Sequence, residues 1–122
     1  MTETRDSKKQ YDLEDRTLAF AKRVRVFVKK LPKAIHIVED IKQLVRASGS
    51  VGANYIEANE ALSKKDFIMR IKICRKEAKE CRYWLKLIDP GSDTEAESER
   101  RDLEEEAKEL MNIFGAILRK SE

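Results

Sequence analysis

The sequence predicts an all-α protein, an antiparallel up-down-up-down bundle of four helices. Apolar residues recur at steps of three and four along four segments, and short loops separate those segments. Helix-breaking residues are rare: four glycines and two prolines among 122 residues are too few for the turns of a β-sandwich or barrel. Because helices joined by short loops run antiparallel to their sequence neighbours, the four segments form one bundle.

The first helix follows a polar start without an apolar period. We expect residues 1–10 to be disordered or frayed, and residues 11–122 to form the single domain. Pro32 ends the first helix, since proline disfavours helical backbone in the residue before it. The first apolar series consists of Leu13, Thr17, Phe20, Val24, Phe27 and Leu31.

The second helix crosses residues 48–52, whose serines and glycines resemble a linker. The apolar period continues through this stretch without a change of phase, so we predict one long helix with a waist of small residues. A break near Gly49 is the alternative, because each glycine costs up to about 1 kcal/mol of helix propensity. The second series consists of Ile37, Ile41, Leu44, Ser48, Val51, Tyr55, Ala58 and Leu62.

The third and fourth helices each have a predicted start. Ser63 can cap the third helix, and Asp66 lies near the positive end of its dipole. Residues 89–93 form the clearest loop, after which Thr94 and Glu97 have the spacing of a capping box. The third series is Phe67, Ile71, Cys74, Ala78, Cys81, Leu85 and Ile88. The fourth series is Ala96, Leu103, Ala107, Leu110, Phe114 and Ile117, with Met111 and Leu118 beside it.

The two cysteines, Cys74 and Cys81, lie two turns apart on the third helix, about 10 Å along its axis. A disulfide needs α-carbons within about 7 Å, so we expect two buried thiols. The sole histidine, His36, lies far from them in sequence, so we expect no metal site and no cofactor. Without a membrane-length apolar run or a signal-peptide core, the expected location is the cytoplasm, with no membrane partner.

Charge is distributed unevenly, although the net charge is only +3. Residues 16–38 hold seven basic and no acidic residues, and residues 63–88 hold nine basic and three acidic ones. Residues 89–122 hold five basic and eleven acidic residues, so the first and third helices are basic and the fourth is acidic. The basic side chains predicted opposite the apolar series are Lys22, Arg25 and Lys29 on the first helix and Lys65, Lys72, Lys76 and Lys79 on the third.

Two interpretations of these basic faces stay open. The seven side chains could bind the phosphates of RNA or DNA without sequence readout, because basic stripes attract polyanions and release their counterions. The alternative is a solvated outer face, stabilised in part by pairs with the acidic fourth helix.

The third helix carries more apolar surface than one core seam requires. Its extra residues predict an interface between subunits of a homo-oligomer, to which outward-facing Leu18 and Val26 of the first helix add. The alternative for the tryptophan is that its ring folds over a neighbouring helix. The predicted interface residues are Met69, Ile73, Trp84 and Leu87.

No pattern in the sequence predicts catalysis. The chain lacks a glycine-rich phosphate loop and a Glu-x-x-His metal pair, and Ser48 and Ser50 lie in the small-residue waist. Asn54 and Glu57, one turn apart, could form a polar site, but a hydrogen bond or ion pair to a neighbouring helix is the favoured interpretation. We therefore expect a protein without catalytic residues, and a small-molecule or metal site is disfavoured.

Residues 46–58 and 62–67 together resemble the bacterial four-helix-bundle proteins, also known as 23S rRNA intervening-sequence proteins. That family has an arginine, small residues and Asn-Ile-Ala-Glu-Gly, followed by Ser-Lys-Lys-Glu-Phe. The resemblance covers about residues 11–120, with Asp66 in place of glutamate and Ala58 in place of glycine. The matching residues are Arg46, Asn54, Glu57, Ser63, Lys64, Lys65 and Phe67, and Glu80 falls on a glutamate usual in the third helix.

The resemblance implies a left-handed up-and-down bundle that usually assembles as a homopentameric ring without enzymatic activity. Some members are encoded inside inserts of 23S ribosomal RNA genes. Relatives include accessory proteins of diversity-generating retroelements, which bind nucleic acid and a reverse transcriptase. A nucleic-acid-binding oligomer is thus the first hypothesis, and a scaffold that docks a partner protein is the second.

Overall fold

Four α-helices make up the part of the chain that this computed structural model describes, namely the backbone of residues 5–122 and the side chains of residues 13–122. They are α1 (Arg5–Lys29), α2 (Ile35–Asn59), α3 (Lys64–Leu87) and α4 (Thr94–Ser121). No strand occurs within residues 5–122. The predicted all-helical fold is therefore confirmed.

Consecutive helices are antiparallel, because contacts that advance along one helix move back along the next. From Thr17 to Arg25 in α1 the partner in α2 changes from Gly52 to Ser48, and from Arg46 to Asn54 in α2 the partner in α3 changes from Glu77 to Arg70. Thr17 of α1 lies against Gly52 of α2, and Arg70 of α3 donates to Asn54 Oδ1 of α2 at 3.1 Å. Arg100 of α4 donates to the carbonyl of Leu85 in α3 at 3.0 Å. Helix α4 also packs beside α1, whereas no Cα atoms of α1 and α3 come within 8 Å of each other in the described part of the chain. Helices α1 and α3 therefore occupy diagonally opposite corners of the bundle.

Most residues of the four predicted apolar series are buried and form the core, against which Ile41 and Phe67 pack partly buried. Its largest fully buried side chains are those of Phe20, Phe27 and Phe114, which fill the centre of the bundle. Two polar side chains in the series are also buried, and their hydroxyls donate to carbonyls of their own helices: Thr17 to Glu14 at 3.0 Å and Ser48 to Val45 at 2.9 Å. The buried hydroxyls are therefore satisfied.

The small-residue waist of α2 is continuous helix, as the apolar period predicted, and the alternative break near Gly49 is absent. The waist lets the side chain of Thr17 in α1 pack directly against α2. A Cβ atom placed on Gly52 would lie 2.9 Å from Thr17 Oγ1 and 3.3 Å from Thr17 Cβ, closer than real contacts allow. A Cβ on Gly49 would meet only the guanidinium end of Arg25, at 3.3 Å. Gly52 thus leaves the space that the side chain of Thr17 occupies.

Two core assignments and one helix boundary differ from the sequence prediction. Leu62, predicted to end the second core series, is fully exposed because α2 stops at Asn59. In α4, Leu118 is buried while Ile117 is only half-buried, so the seam drifts by one residue near the end of the helix. Helix α1 begins at Arg5, inside the stretch expected to be frayed, and residues 1–4 lie outside the described part.

The cap of α4 lies one residue earlier than predicted. Asp93, not Thr94, is the N-cap, and its carboxylate accepts from the backbone N–H of Ala96 at 3.0 Å. Glu97 does not reach back to the cap because it binds Arg100 and Arg101 instead, at 2.8 and 2.9 Å. These two guanidinium groups lower the pKa of Glu97 to about 2.

The two cysteines are free thiols and are fully buried in α3, as expected. Burial raises the pKa of Cys74 to about 12 and raises that of Cys81 further, so both stay protonated at neutral pH. Neither is therefore a nucleophile in the folded bundle. No helix within the described residues is long and apolar enough to cross a membrane.

Candidate nucleic-acid interface

Four lysines form a row along the outer surface of α3, which we call the lysine row: Lys65, Lys72, Lys76 and Lys79. Steps of seven, four and three residues place them on the face of the helix opposite its buried series. All four side chains are exposed. In the part of the chain that the structure describes, none of them lies within 4.0 Å of a carboxylate.

Other basic residues of the bundle do pair with acidic ones. Arg16 of α1 binds Glu106 of α4 through two contacts of 2.7 Å, and these hydrogen bonds raise the pKa of the arginine. Lys30, the first residue after α1, likewise lies 2.6 Å from Glu99 of α4. The expected neutralisation by α4 therefore occurs along the edge that α4 shares with α1 and at Lys86 of α3, 3.9 Å from Glu104, but it does not reach the lysine row.

The basic residues predicted on α1 lie on the opposite side of the protomer. Lys22 and Lys29 are exposed, and the described residues offer no carboxylate within 4.0 Å of either. The side chain of Arg25 instead folds toward α2 and donates to Ser48 Oγ at 3.3 Å. It also donates to the carbonyl of Ala21 in its own helix, at 2.9 Å. Because α1 and α3 are diagonal, these side chains and the lysine row cannot form one continuous surface on a protomer.

Arg46 and Glu80, two of the polar residues matched to the family, meet at the contact between α2 and α3. The guanidinium of Arg46 lies 3.4 Å from Glu80 and donates to both oxygens of Glu77, at 3.2 and 3.3 Å. Glu77 is buried, and its hydrogen bonds raise the pKa of Arg46. This cluster therefore fastens α2 to α3.

Asn54 and Glu57, the other two family-matched residues, are not brought together. Asn54 donates to the carbonyl and the hydroxyl oxygen of Ser50, at 2.9 and 3.0 Å, and accepts from Arg70 of α3. Glu57 is exposed, with no hydrogen bond from its side chain among the described residues. Asn54 therefore makes the expected bond to a neighbouring helix, and the pair forms no polar site.

The four predicted interface residues of α3 differ in exposure. Met69 and Leu87 are about half exposed, with 47% and 48% of their surface accessible. Ile73 and Trp84 are partly buried, and Trp84 packs against the core. The ring of Trp84 therefore packs on its own core, and its indole Nε1 is buried without an acceptor among the described residues. Its part in a subunit contact stays a prediction.

Sequence reasoning missed Glu77 and Tyr83. Glu77 lies one turn before Glu80 on the same helix face, a spacing that identifies a second partner for Arg46 once α2 and α3 are known to be neighbours. Tyr83 is 58% exposed and continues the face of the lysine row, four residues after Lys79. This helical spacing from Lys79 could have identified Tyr83 from the sequence as a residue of the same exposed face.

Comparison with known proteins identifies the family. The model of the 23S rRNA-intervening sequence proteins matches residues 9–116, most of the chain. The chain belongs to this family. A solved structure from Bacteroides thetaiotaomicron, a protein of unknown function from the S23 ribosomal protein family, is 29% identical. The match covers 86% of this chain and 96% of that one, with a TM-score of 0.71.

The family assignment confirms the resemblance drawn from residues 46–67, and the intervening-sequence family has no established function. No curated protein matches the chain. Within the described residues, no three histidine, cysteine, aspartate or glutamate side chains are placed to hold a metal ion. The lysine row is therefore the feature of the described surface from which a function can be argued.

Proposed function

We propose that this intervening-sequence family member is a non-enzymatic homo-oligomer that binds nucleic acid, structured RNA or DNA, through the basic faces of α1 and α3. The observation that carries the proposal is the lysine row: four exposed lysines with no carboxylate partner among the described residues, on a helix whose other face is core. Unpaired lysines on a rigid helix attract phosphates, and the release of condensed counterions favours the complex. Contacts of this kind give affinity without base readout.

Assembly would strengthen such binding. Each subunit of a homo-oligomer, a pentameric ring by resemblance to the family, repeats the lysine row, so that a long nucleic acid engages several rows at once. The second and later contacts are then intramolecular and benefit from a high effective concentration. Weak contacts at each row suffice for tight overall binding.

The proposal is tested by fluorescence anisotropy with a labelled RNA hairpin and a labelled DNA duplex at several salt concentrations. Engagement of four phosphates on duplex DNA gives a slope of about −3.6 in log K against log salt, which weakens binding on the order of 100-fold between about 50 and 200 mM salt. Failure of both probes to bind at the lowest salt, or affinity that salt leaves unchanged, would contradict the proposal.

A second candidate function is a scaffold that docks a partner protein, and the half-exposed Met69 and Leu87 favour it. The same two residues, with Ile73 and Trp84, are our candidates for the subunit contact. A Met69→Lys, Leu87→Lys variant is expected to reduce the mass of the assembly in light scattering, because charged groups cannot be buried in an apolar contact without a partner.

The control for α3 is Leu18→Lys, Val26→Lys on α1, which replaces two side chains of similar exposure, 52% and 54%. Because the sequence also predicts that these two residues add to the interface, this variant shows whether α1 takes part. Unchanged mass in the control and reduced mass in the α3 variant support an α3 interface. A monomeric wild-type protein would exclude the oligomer, while reduced mass in both variants would mean that α1 also takes part.

A further inference from the structure

Tyr83 extends the lysine row with an aromatic side chain. Lys72, Lys76, Lys79 and Tyr83 follow one another at steps of four, three and four residues, which keeps all four on one face of α3. The ring is 58% exposed, far more than an aromatic residue of the core would be. The face therefore combines positive charge with one accessible aromatic surface.

The ring of Tyr83 is supported by its neighbour in sequence. Its centroid lies 5.1 Å from that of Trp84, with the two planes at 78°, an edge-to-face arrangement. Trp84 in turn packs against the core, so the tyrosine rests on a fixed side chain. Leu87, one turn further along α3 and 48% exposed, lies on the same side of the helix. A flat partner would meet an aromatic surface that is already ordered.

Phosphates explain the lysines of this face but not the ring of Tyr83, because only the tyrosine hydroxyl, and not its ring, is suited to donate to a phosphate oxygen. An unpaired nucleobase has a free π-face and gains by stacking on such a ring. Bases inside an uninterrupted duplex are stacked on each other and offer no face to a side chain. We propose that Tyr83 stacks on an unpaired base, so that the lysine row binds nucleic acid containing single-stranded or looped-out nucleotides in preference to an uninterrupted duplex.

This inference rests on the proposed function and names the class of nucleic acid that the same surface takes. The test compares two fluorescein-labelled RNAs of equal length, a hairpin with an unpaired loop and a blunt duplex, by anisotropy at one low salt concentration. Wild-type protein is expected to bind the looped RNA more tightly. Tyr83→Ala is expected to weaken binding of the looped RNA by about 5- to 150-fold, the range provided by stacking of one base, and to change duplex binding less than about 2-fold.

Tyr83→Phe is the matched control, because it keeps the ring and removes only the hydroxyl, which makes no hydrogen bond among the described residues. We expect it to bind both RNAs as the wild type does. Because position 83 is exposed, the bundle tolerates both substitutions, and circular dichroism melting checks that the Tm is unchanged.

Each other outcome overturns the inference in a recognisable way. Equal affinity of wild-type protein for the two RNAs, or an equal loss on both in Tyr83→Ala, leaves the lysine row as a phosphate site and removes the stacking role. Unchanged RNA binding with a smaller assembly in light scattering assigns Tyr83 to a protein contact instead. Absence of binding to either RNA overturns the proposed function together with this inference.

Discussion

Replacing Gly52 with alanine is expected to destabilise the bundle by about 1–3 kcal/mol, even though alanine is the better helix former. The added Cβ would lie 2.9 Å from Thr17 Oγ1, and Thr17 is buried, β-branched and held by its bond to the Glu14 carbonyl. The side chain cannot turn away, so α1 must shift, and overpacking of this kind outweighs the gain of up to about 1 kcal/mol in helix propensity. Thermal unfolding followed by circular dichroism measures the change as a lower Tm.

Gly49→Ala is the matched control, since it lies on the same helix one turn earlier. Its Cβ would meet only the guanidinium end of Arg25, which can move aside. The propensity gain then stands, and the Tm is expected to stay the same or to rise. Equal destabilisation by the two substitutions would mean that the waist is crowded along its whole length rather than at Gly52 alone.

Reversing the charge of three lysines in the row is expected to lower affinity for RNA on the order of 100-fold at low salt. In the Lys72→Glu, Lys76→Glu, Lys79→Glu variant, three phosphate contacts are lost and three repulsive charges are introduced. Loss of each phosphate contact lowers the slope of the salt dependence by about one, so the variant retains a slope near one. Anisotropy titrations at several salt concentrations give both quantities. Because all three side chains are exposed and unpaired in the described structure, the fold is retained.

A control variant must separate the effect of the protein's net charge on RNA affinity from the effect of where the substituted lysines lie. A control variant carries the same substitution at three exposed lysines elsewhere on the bundle: Lys42, Lys108 and Lys120. Each replacement removes two units of charge, so both variants go from the wild-type +3 to −3. A loss of similar size in both variants would show that overall charge governs binding, and the lysine row would then have no special role.

The apolar period predicted most of the fold because the buried positions of a helix repeat at the helical period of 3.6 residues, which the sequence shows directly. Residues 48–52 illustrate this: composition suggested a linker, yet Ser48 and Val51 continue the buried face and the helix runs on. The ends of the helices were less predictable, since neighbouring residues can often form similar capping hydrogen bonds. Asp93 and Thr94 are both able to cap α4, and only the actual path of the loop selects Asp93.

Only part of the candidate site could be predicted, because helical spacing gives the direction of a side chain but not its neighbours. Helical spacing gives the direction of a side chain around its own axis, and it correctly placed Lys72 and Lys76 on an exposed face. It does not say which helix lies alongside, so the commitment of Arg25 to α2 and the burial of Glu77 against Arg46 could not be foreseen. Nor did it show that the basic residues of α1 lie on the far side of the bundle from those of α3.

The diagonal placement of α1 and α3 gives every protomer two basic surfaces that face away from each other. A nucleic acid held along one surface leaves the other open to a second strand or to a distant segment of the same strand. Under the proposed function, a protein of this shape would act as a bridge between two nucleic-acid segments. On a folded RNA, such bridging would draw separate helices together and favour compact folds over extended ones, without reading any base.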